Sequence, residues 1–208
     1  MKQTIFSLIL LVFSLSACAS PVTPAPATEP ASAPVEDNMP VPGMDVTEAV
    51  VQGKLPAPSF ESQTYINEAV GFALEYPASW TVQESVIGDR GSQTLLLSAP
   101  EIAELATLPA GATRVAVNVN QWDPKNDLAA FVENRKTAWE ASGFSILAEE
   151  PLILDLGLSA IRVTVQSPEG VPVEYLFAAI RDQYVTISGE GDLELVKEIM
   201  RYLRPLNN

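Results

Sequence analysis

The sequence predicts an α+β domain built on a mainly antiparallel β-sheet, set behind an export segment and a flexible tether. Three observations point there. From about residue 63 onward the chain is dominated by short runs in which apolar and polar residues alternate; only two stretches carry helical spacing; and the order is strands, helix, strands, helix, without the strand-by-helix alternation of a parallel sheet.

The first strand candidate is "AVGFALEYP", which stops at Pro77 because proline has no backbone donor and restrains the residue before it. "WTVQE" restarts at Trp80, and "TLLLSAP" follows a "GDRG" turn. "ATRVAVNVNQW" alternates strictly, with Val115, Val117 and Val119 on one face and Ala116, Asn118 and Asn120 on the other. In "NDLAAFVENRKTAWEASG", Leu128, Phe131, Val132 and Trp139 recur at helical spacing, Asn126 or Asp127 can cap the start, and Gly143 can end it.

Four more strands are expected at "FSILAEE", "SAIRVTVQS", "VPVEYLFAAI" and "QYVTISG". In the second of these, Ile161, Val163 and Val165 oppose Arg162, Thr164 and Gln166. "DLELVKEIMRYLRPL" closes the chain as a helix with an apolar stripe of Val196, Ile199, Met200 and Leu203. Arg201 and Arg204 favour its C-terminal dipole, and Pro205 stops it.

Ahead of this domain, Lys2 gives a positive start and residues 5–15 form an apolar block of about eleven residues, the pattern of a secretory signal peptide. A bilayer core needs roughly twenty helical residues, so the block is an export signal rather than a permanent span. Leu15, Ser16, Ala17 and Cys18 resemble the lipobox of bacterial lipoproteins, which implies removal of residues 1–17 and diacylation of the Cys18 thiol. Two acyl chains anchor stably where one holds only marginally, since each buried methylene contributes about 0.8 kcal/mol. The expected membrane contact is therefore the N-terminal lipid.

Residues 18–62 are rich in Pro, Ala, Ser and Thr, with no aromatic before Phe60. Such a segment buries too little apolar surface to offset the entropy of ordering, and about forty flexible residues span roughly 35 Å. Within it, "VTEAVVQGKL" has enough periodicity for a helical turn or two.

Composition narrows the chemistry. Cys18 is the single cysteine of 208 residues and there is no histidine, which excludes disulfides within the chain, Ser-His-Asp and Cys-His catalysis, and the usual zinc and copper ligand sets. With 26 acidic against 12 basic residues the formal net charge is −14, a field that repels nucleic acid, so no nucleic-acid partner is expected. No cofactor motif appears: there is no GxxxxGK[ST], no GxGxxG after a strand and no Ser-x-x-Lys.

The residues Gly71, Phe72, Tyr76, Pro77 and Trp80, in "GFALEYPASWTV", resemble the PsbP-like fold group, which comprises extrinsic photosystem II subunits, their lipidated bacterial relatives and many other bacterial lipoproteins. The resemblance extends over residues 63–208. It implies an antiparallel sheet sandwiched by helices and a non-catalytic protein that docks on a membrane complex or helps assemble one. The chain carries no further motif of the photosystem members, so neither a photosynthetic role nor a histidine metal site is implied. Phe72, Tyr76 and Trp80 are expected in the core, on a first hairpin.

Other readings rest on scattered residues. A glycosidase-like hydrolase needs two carboxylates roughly 5 to 10 Å apart, for which Glu149 with Glu150, or Glu190 with Asp192, are the candidates by proximity. "SGEGDLEL" reads more simply as a glycine turn into a helix capped near Asp192. Asp123, Asn126 and Asp127 of "WDPKND" are oxygen donors but lack the spacing of a calcium loop, and read as a loop into a helix cap. A small apolar molecule or glycan could meet the polar rows carrying Arg114, Asn118, Asn120, Arg162 and Thr164, although polar alternates are ordinary on half-exposed strands. The expectation is thus a lipid-anchored, non-catalytic module on the extracytoplasmic side, docking on an envelope protein; the lipidation site is Cys18, and no catalytic, cofactor or metal residue is assigned.

Overall fold

The computed structural model describes residues 55–86, 91–121, 123 and 125–206. These belong to one compact unit bounded at Ala49 and Asn208. The export segment, Cys18, the tether up to residue 54 and most of the "GDRG" turn lie outside the described residues.

Among the described residues, ten strands and two α-helices follow in the order β1 (Ser62–Asn67), β2 (Phe72–Pro77), β3 (Thr81–Val86), β4 (Gly91–Leu97), β5 (Arg114–Gln121), α1 (Leu128–Ala141), β6 (Ser145–Ile153), β7 (Ser159–Gln166), β8 (Pro172–Ile180), β9 (Gln183–Glu190), α2 (Leu193–Arg201) and β10 (Arg204–Pro205). Seven strands form an antiparallel sheet in the order β3-β4-β5-β9-β8-β7-β6, and β1-β2-β10 form a second, smaller antiparallel sheet. The α+β class and the antiparallel pairing agree with the sequence pattern. No helix among the described residues is long and apolar enough to cross a membrane.

The first-hairpin expectation is corrected. β2 pairs with β1 and β10, whereas β3 pairs with β4 in the other sheet, so the turn at Pro77, where Trp80 N–H donates to the Pro77 carbonyl at 3.0 Å, joins two sheets. Phe72 and Tyr76 are nonetheless buried, and Trp80 packs against the same cluster. The C-terminal helix is also shorter than expected. It ends at Arg201, and Arg204 and Pro205 pair with Ala73 and Phe72. Proline is tolerated there because β10 lies at a sheet edge.

The strand registers sort side chains onto two faces of the large sheet. One row runs Val115, Gly189, Glu174, Thr164 across β5, β9, β8 and β7; a row three positions along each strand, Asn118, Thr186, Phe177, Ile161, lies on the opposite face. The first face carries Val115, Val117, Val119, Ile187 and Leu176, which pack with Phe72 and Leu74 of β2 and with Val196, Ile199 and Met200 of α2. Each such large side chain contributes roughly 1.5–3 kcal/mol by leaving water. On the second face Val163, Val165 and Phe177 pack with Val132, Phe131 and Trp139 of α1.

Both helices are capped as their sequences suggest. Asp127 accepts from Ala130 N–H at 2.8 Å at the start of α1, and Asp192 accepts from Glu194 and Leu195 N–H, both at 3.2 Å, at the start of α2. Gly143 follows α1 at φ +84°, the left-handed conformation that glycine adopts without steric penalty.

The tether's far end rests on this domain. Ser59 donates to both carboxylate oxygens of Glu198, from its N–H and its hydroxyl, each at 2.6 Å; Phe60 meets Tyr202 edge-on at 6.4 Å; and the Tyr202 hydroxyl donates to the Pro56 carbonyl at 2.8 Å. Residues 55–61, read as linker from composition, thus carry contacts to α2 and the turn after it. At the other edge β6 combines a bulge near Leu147 with Pro151, Glu149 and Glu150, features that discourage a further strand from pairing.

Candidate functional site

α1 connects β5, in the middle of the sheet, to β6 at its far edge, and packs on β6 and β8. Beside it, on the same face, β5 and β9 present a polar row: Asn118 and Asn120 on β5, Thr186 and Ser188 on β9. Here a cleft of about 300 Å³ opens, lined by these four side chains together with Arg135 and Trp139 of α1 and Tyr175 and Phe177 of β8.

The aromatic wall is tightly organised. Trp139 lies 4.4 Å from Tyr175 at an interplanar angle of 47° and 5.9 Å from Phe177, while Tyr175 and Phe177 are nearly parallel at 6.1 Å. Behind it Phe131 stacks on Tyr184 at 4.1 Å, and the Tyr184 hydroxyl donates to the Asn126 carbonyl at 2.7 Å, which fixes the entry of α1. Phe131, Arg135 and Trp139 follow at i, i+4 and i+8, so they share one side of the helix. The Arg135 guanidinium lies 5.4 Å from the Phe131 ring centre and forms no ion pair among the described residues. Burial pushes the Tyr175 hydroxyl above the usual phenol range, the Glu190 charge adds to this, and Arg135 opposes it, so Tyr175 remains a donor at neutral pH.

The polar floor has an open valence. Thr186 is 7% exposed, yet its Oγ1, like Asn120 Nδ2, is buried without a hydrogen-bond partner among the described residues. The two residues are diagonal neighbours across the β5–β9 ladder. Leaving a buried donor or acceptor unmet costs roughly 1–3 kcal/mol, which is why such atoms are uncommon and informative. Asn118, directly opposite Thr186, is held by Gln93, whose Nε2 donates to its Oδ1 at 3.0 Å.

Of the five polar strand residues singled out by sequence, only Asn118 and Asn120 line this cleft. Arg114 shares their face but is committed: it pairs with Glu190 and its Nη1 donates to the carbonyls of Ile102, Ala103 and Leu105 at 3.1, 3.2 and 2.9 Å. Arg162 and Thr164 point to the other face, where Arg162 pairs with Glu150 at 2.5 Å and Thr164 donates to the buried Glu174 at 3.0 Å. Thr186, Ser188, Arg135 and Trp139 were not singled out as site residues. A signal for the first two existed in the alternation of Tyr184, Thr186 and Ser188 with Val185, Ile187 and Gly189.

The carboxylates considered for hydrolysis are each engaged by another group. Successive on β6, Glu149 faces α1 and binds Lys136 at 2.6 Å, while Glu150 binds Arg162 on the other face. Glu190 is held by Arg114, and Asp192 caps α2. In "WDPKND", Asp123 accepts from Lys125 N–H and from Asn126 Nδ2, both at 3.0 Å, and Asp127 is the α1 cap; Trp122 and Pro124 lie outside the described residues. No group of three potential metal ligands from His, Cys, Asp and Glu occurs among the described residues. A larger groove of about 720 Å³ lies between residues 55–59 and α2, but Lys197 and Glu194 pair at 2.9 Å there, Glu198 is taken by Ser59, and Asp192 is the cap.

No protein-family model matches the chain, and no curated protein matches it by sequence. Among solved structures the fold is similar to that of cyanobacterial PsbP (CyanoP) from Synechocystis sp. PCC 6803, with a TM-score of 0.53 and 13% identity over 74% of this chain and 98% of that one. The chain thus has a PsbP-like α+β fold. A protein of unknown function from Pseudomonas aeruginosa, PA94, also aligns, at a TM-score of 0.44 and 18% identity over 71% of this chain and 99% of that one.

Proposed function

We propose that the protein is a non-catalytic, lipid-anchored module on the extracytoplasmic side of a cell envelope, where it recognises an envelope partner and joins the membrane through Cys18. One observation carries the non-catalytic part. The cleft is walled by amides, hydroxyls, three aromatic rings and a guanidinium, which are groups that bind and orient, whereas Glu149, Glu150, Glu190 and Asp192 are bound elsewhere to cations or to a helix N-terminus. The PsbP-like fold supports the reading of an extrinsic protein. Support for the anchor comes from the sequence, in the apolar block ending at Leu15-Ser16-Ala17-Cys18.

Two experiments test it. Labelled fatty acid supplied to producing cells should enter the wild-type chain and not Cys18→Ser; equal labelling of both overturns the anchor. Crosslinking in intact membranes followed by purification of the lipidated form should recover a reproducible protein partner, and repeated recovery of none would count against docking.

A further inference from the structure

The cleft beside α1 has a chemistry that narrows what it can hold. Its floor offers an amide donor, Asn120 Nδ2, and a hydroxyl that both donates and accepts, Thr186 Oγ1, both buried and both unmet. They are diagonal neighbours on adjacent strands, with Asn118 and Ser188 on either side, so the complementary surface is a set of adjacent hydroxyls rather than one isolated polar atom. Its wall, made by Trp139 and Tyr175, offers an aromatic surface suited to the C–H face of a saturated ring. At its rim stands Arg135, a guanidinium with no carboxylate of this chain to pair with among the described residues and with a planar fork that matches a carboxylate's two oxygens. A volume of about 300 Å³ is at the small end of ligand sites, sized for one ring rather than a chain of them.

From these features together we infer that the cleft binds a single six-membered sugar acid, such as a hexuronate unit. Its hydroxyls meet Asn120 and Thr186, its ring lies along Trp139, and its carboxylate meets Arg135. The acidity of the protein does not forbid this. With a Debye length of about 8 Å at physiological salt, the distant carboxylates are screened while Arg135 acts at contact, and the nearby Glu190 is already paired with Arg114. The inference concerns the cleft alone, and it stands or falls separately from anchoring and docking at the membrane.

The test is a titration of the purified full chain in detergent with D-glucuronate and, separately, D-glucose, followed by calorimetry and tryptophan fluorescence. Glucuronate should bind, and glucose should bind at least fivefold more weakly. Thr186→Val, which removes the hydroxyl at nearly constant volume, and Asn120→Leu should each weaken glucuronate about tenfold. Thr186→Val should also leave the denaturation midpoint unchanged or raised, because the hydroxyl it removes has no partner among the described residues. Arg135→Gln should bring glucuronate down to the affinity of glucose. Binding of neither sugar, or binding unaffected by Thr186→Val, overturns the site; equal affinity of the two sugars for the wild-type chain overturns the assignment of an acid.

Discussion

Gly189 of β9 lies beneath Val196 of α2 so closely that a methyl group on its Cα would meet both Val196 methyls, with Cγ2 at 2.8 Å. The helix can approach the sheet here because this strand position has no side chain. Gly189→Ala should therefore destabilise the domain by about 1–3 kcal/mol through overpacking, measured by urea denaturation. Adding Val196→Ala should recover part of that loss rather than increase it, and strict additivity of the two changes would show that they do not share a contact.

Glu174 is 1% exposed on the same face, receives the Thr164 hydroxyl and lies 3.6 Å from Lys197 Nζ of α2. Lys197→Met removes the cation and leaves the buried carboxylate with a single hydroxyl. The expected cost is roughly 1–3 kcal/mol, reduced from the range for a wholly buried pair because the lysine reaches solvent. Lys197→Met combined with Glu174→Leu should be less unstable than Lys197→Met alone, as thermal denaturation at neutral pH will report.

Arg114 ties the segment between β4 and β5 to the sheet through three carbonyls and Glu190. Arg114→Met should lower stability by about 2 kcal/mol and raise hydrogen exchange in residues 99–112 before the rest of the domain. Arg114→Lys should not restore protection, since an ammonium cannot reproduce a fork directed at four acceptors.

Burial raises the phenol groups of Tyr65, Tyr175, Tyr184 and Tyr202 above their ordinary value of 10.0. A group that holds its proton more tightly when folded makes the folded state bind more protons than the unfolded one at alkaline pH. The stability it contributes is complete below pH 10 and declines as pH rises from there through the folded-state value. Alkaline unfolding followed by circular dichroism should begin above pH 10, with tyrosinate absorbance rising in the same transition. Full ionisation of these tyrosines without loss of structure would contradict their burial.

Much of this fold is legible in the sequence because most elements have one clear period. β5, β7, α1 and α2 each carry an apolar row of the right spacing, and Asp127, Asp192 and Gly143 mark helix ends as their chemistry dictates. β1 is not legible, since five of its six residues are at least partly exposed and only Tyr65 is buried. β10 is two residues long and takes its identity from pairing with β2, which no local pattern specifies. The site was half legible for a related reason. Alternation within a strand assigns Asn118 and Asn120 to one face and Arg162 and Thr164 to one face, but whether those faces coincide depends on register across β9 and β8, and the ladders place them on opposite sides.

The contacts that Ser59 and Phe60 make with Glu198 and Tyr202 join residues 139 or more positions apart, at the point where the chain enters the domain. A force drawn along the N-terminal side must first shear these residues away from the last helix and the turn after it, before the β1–β2 ladder is loaded. The domain's mechanical weak point is thereby moved from a hairpin that could peel open one bond at a time to a clasp whose two halves come from opposite ends of the domain's sequence. Tension and the completion of folding are then linked, since the clasp cannot close until the final helix is in place.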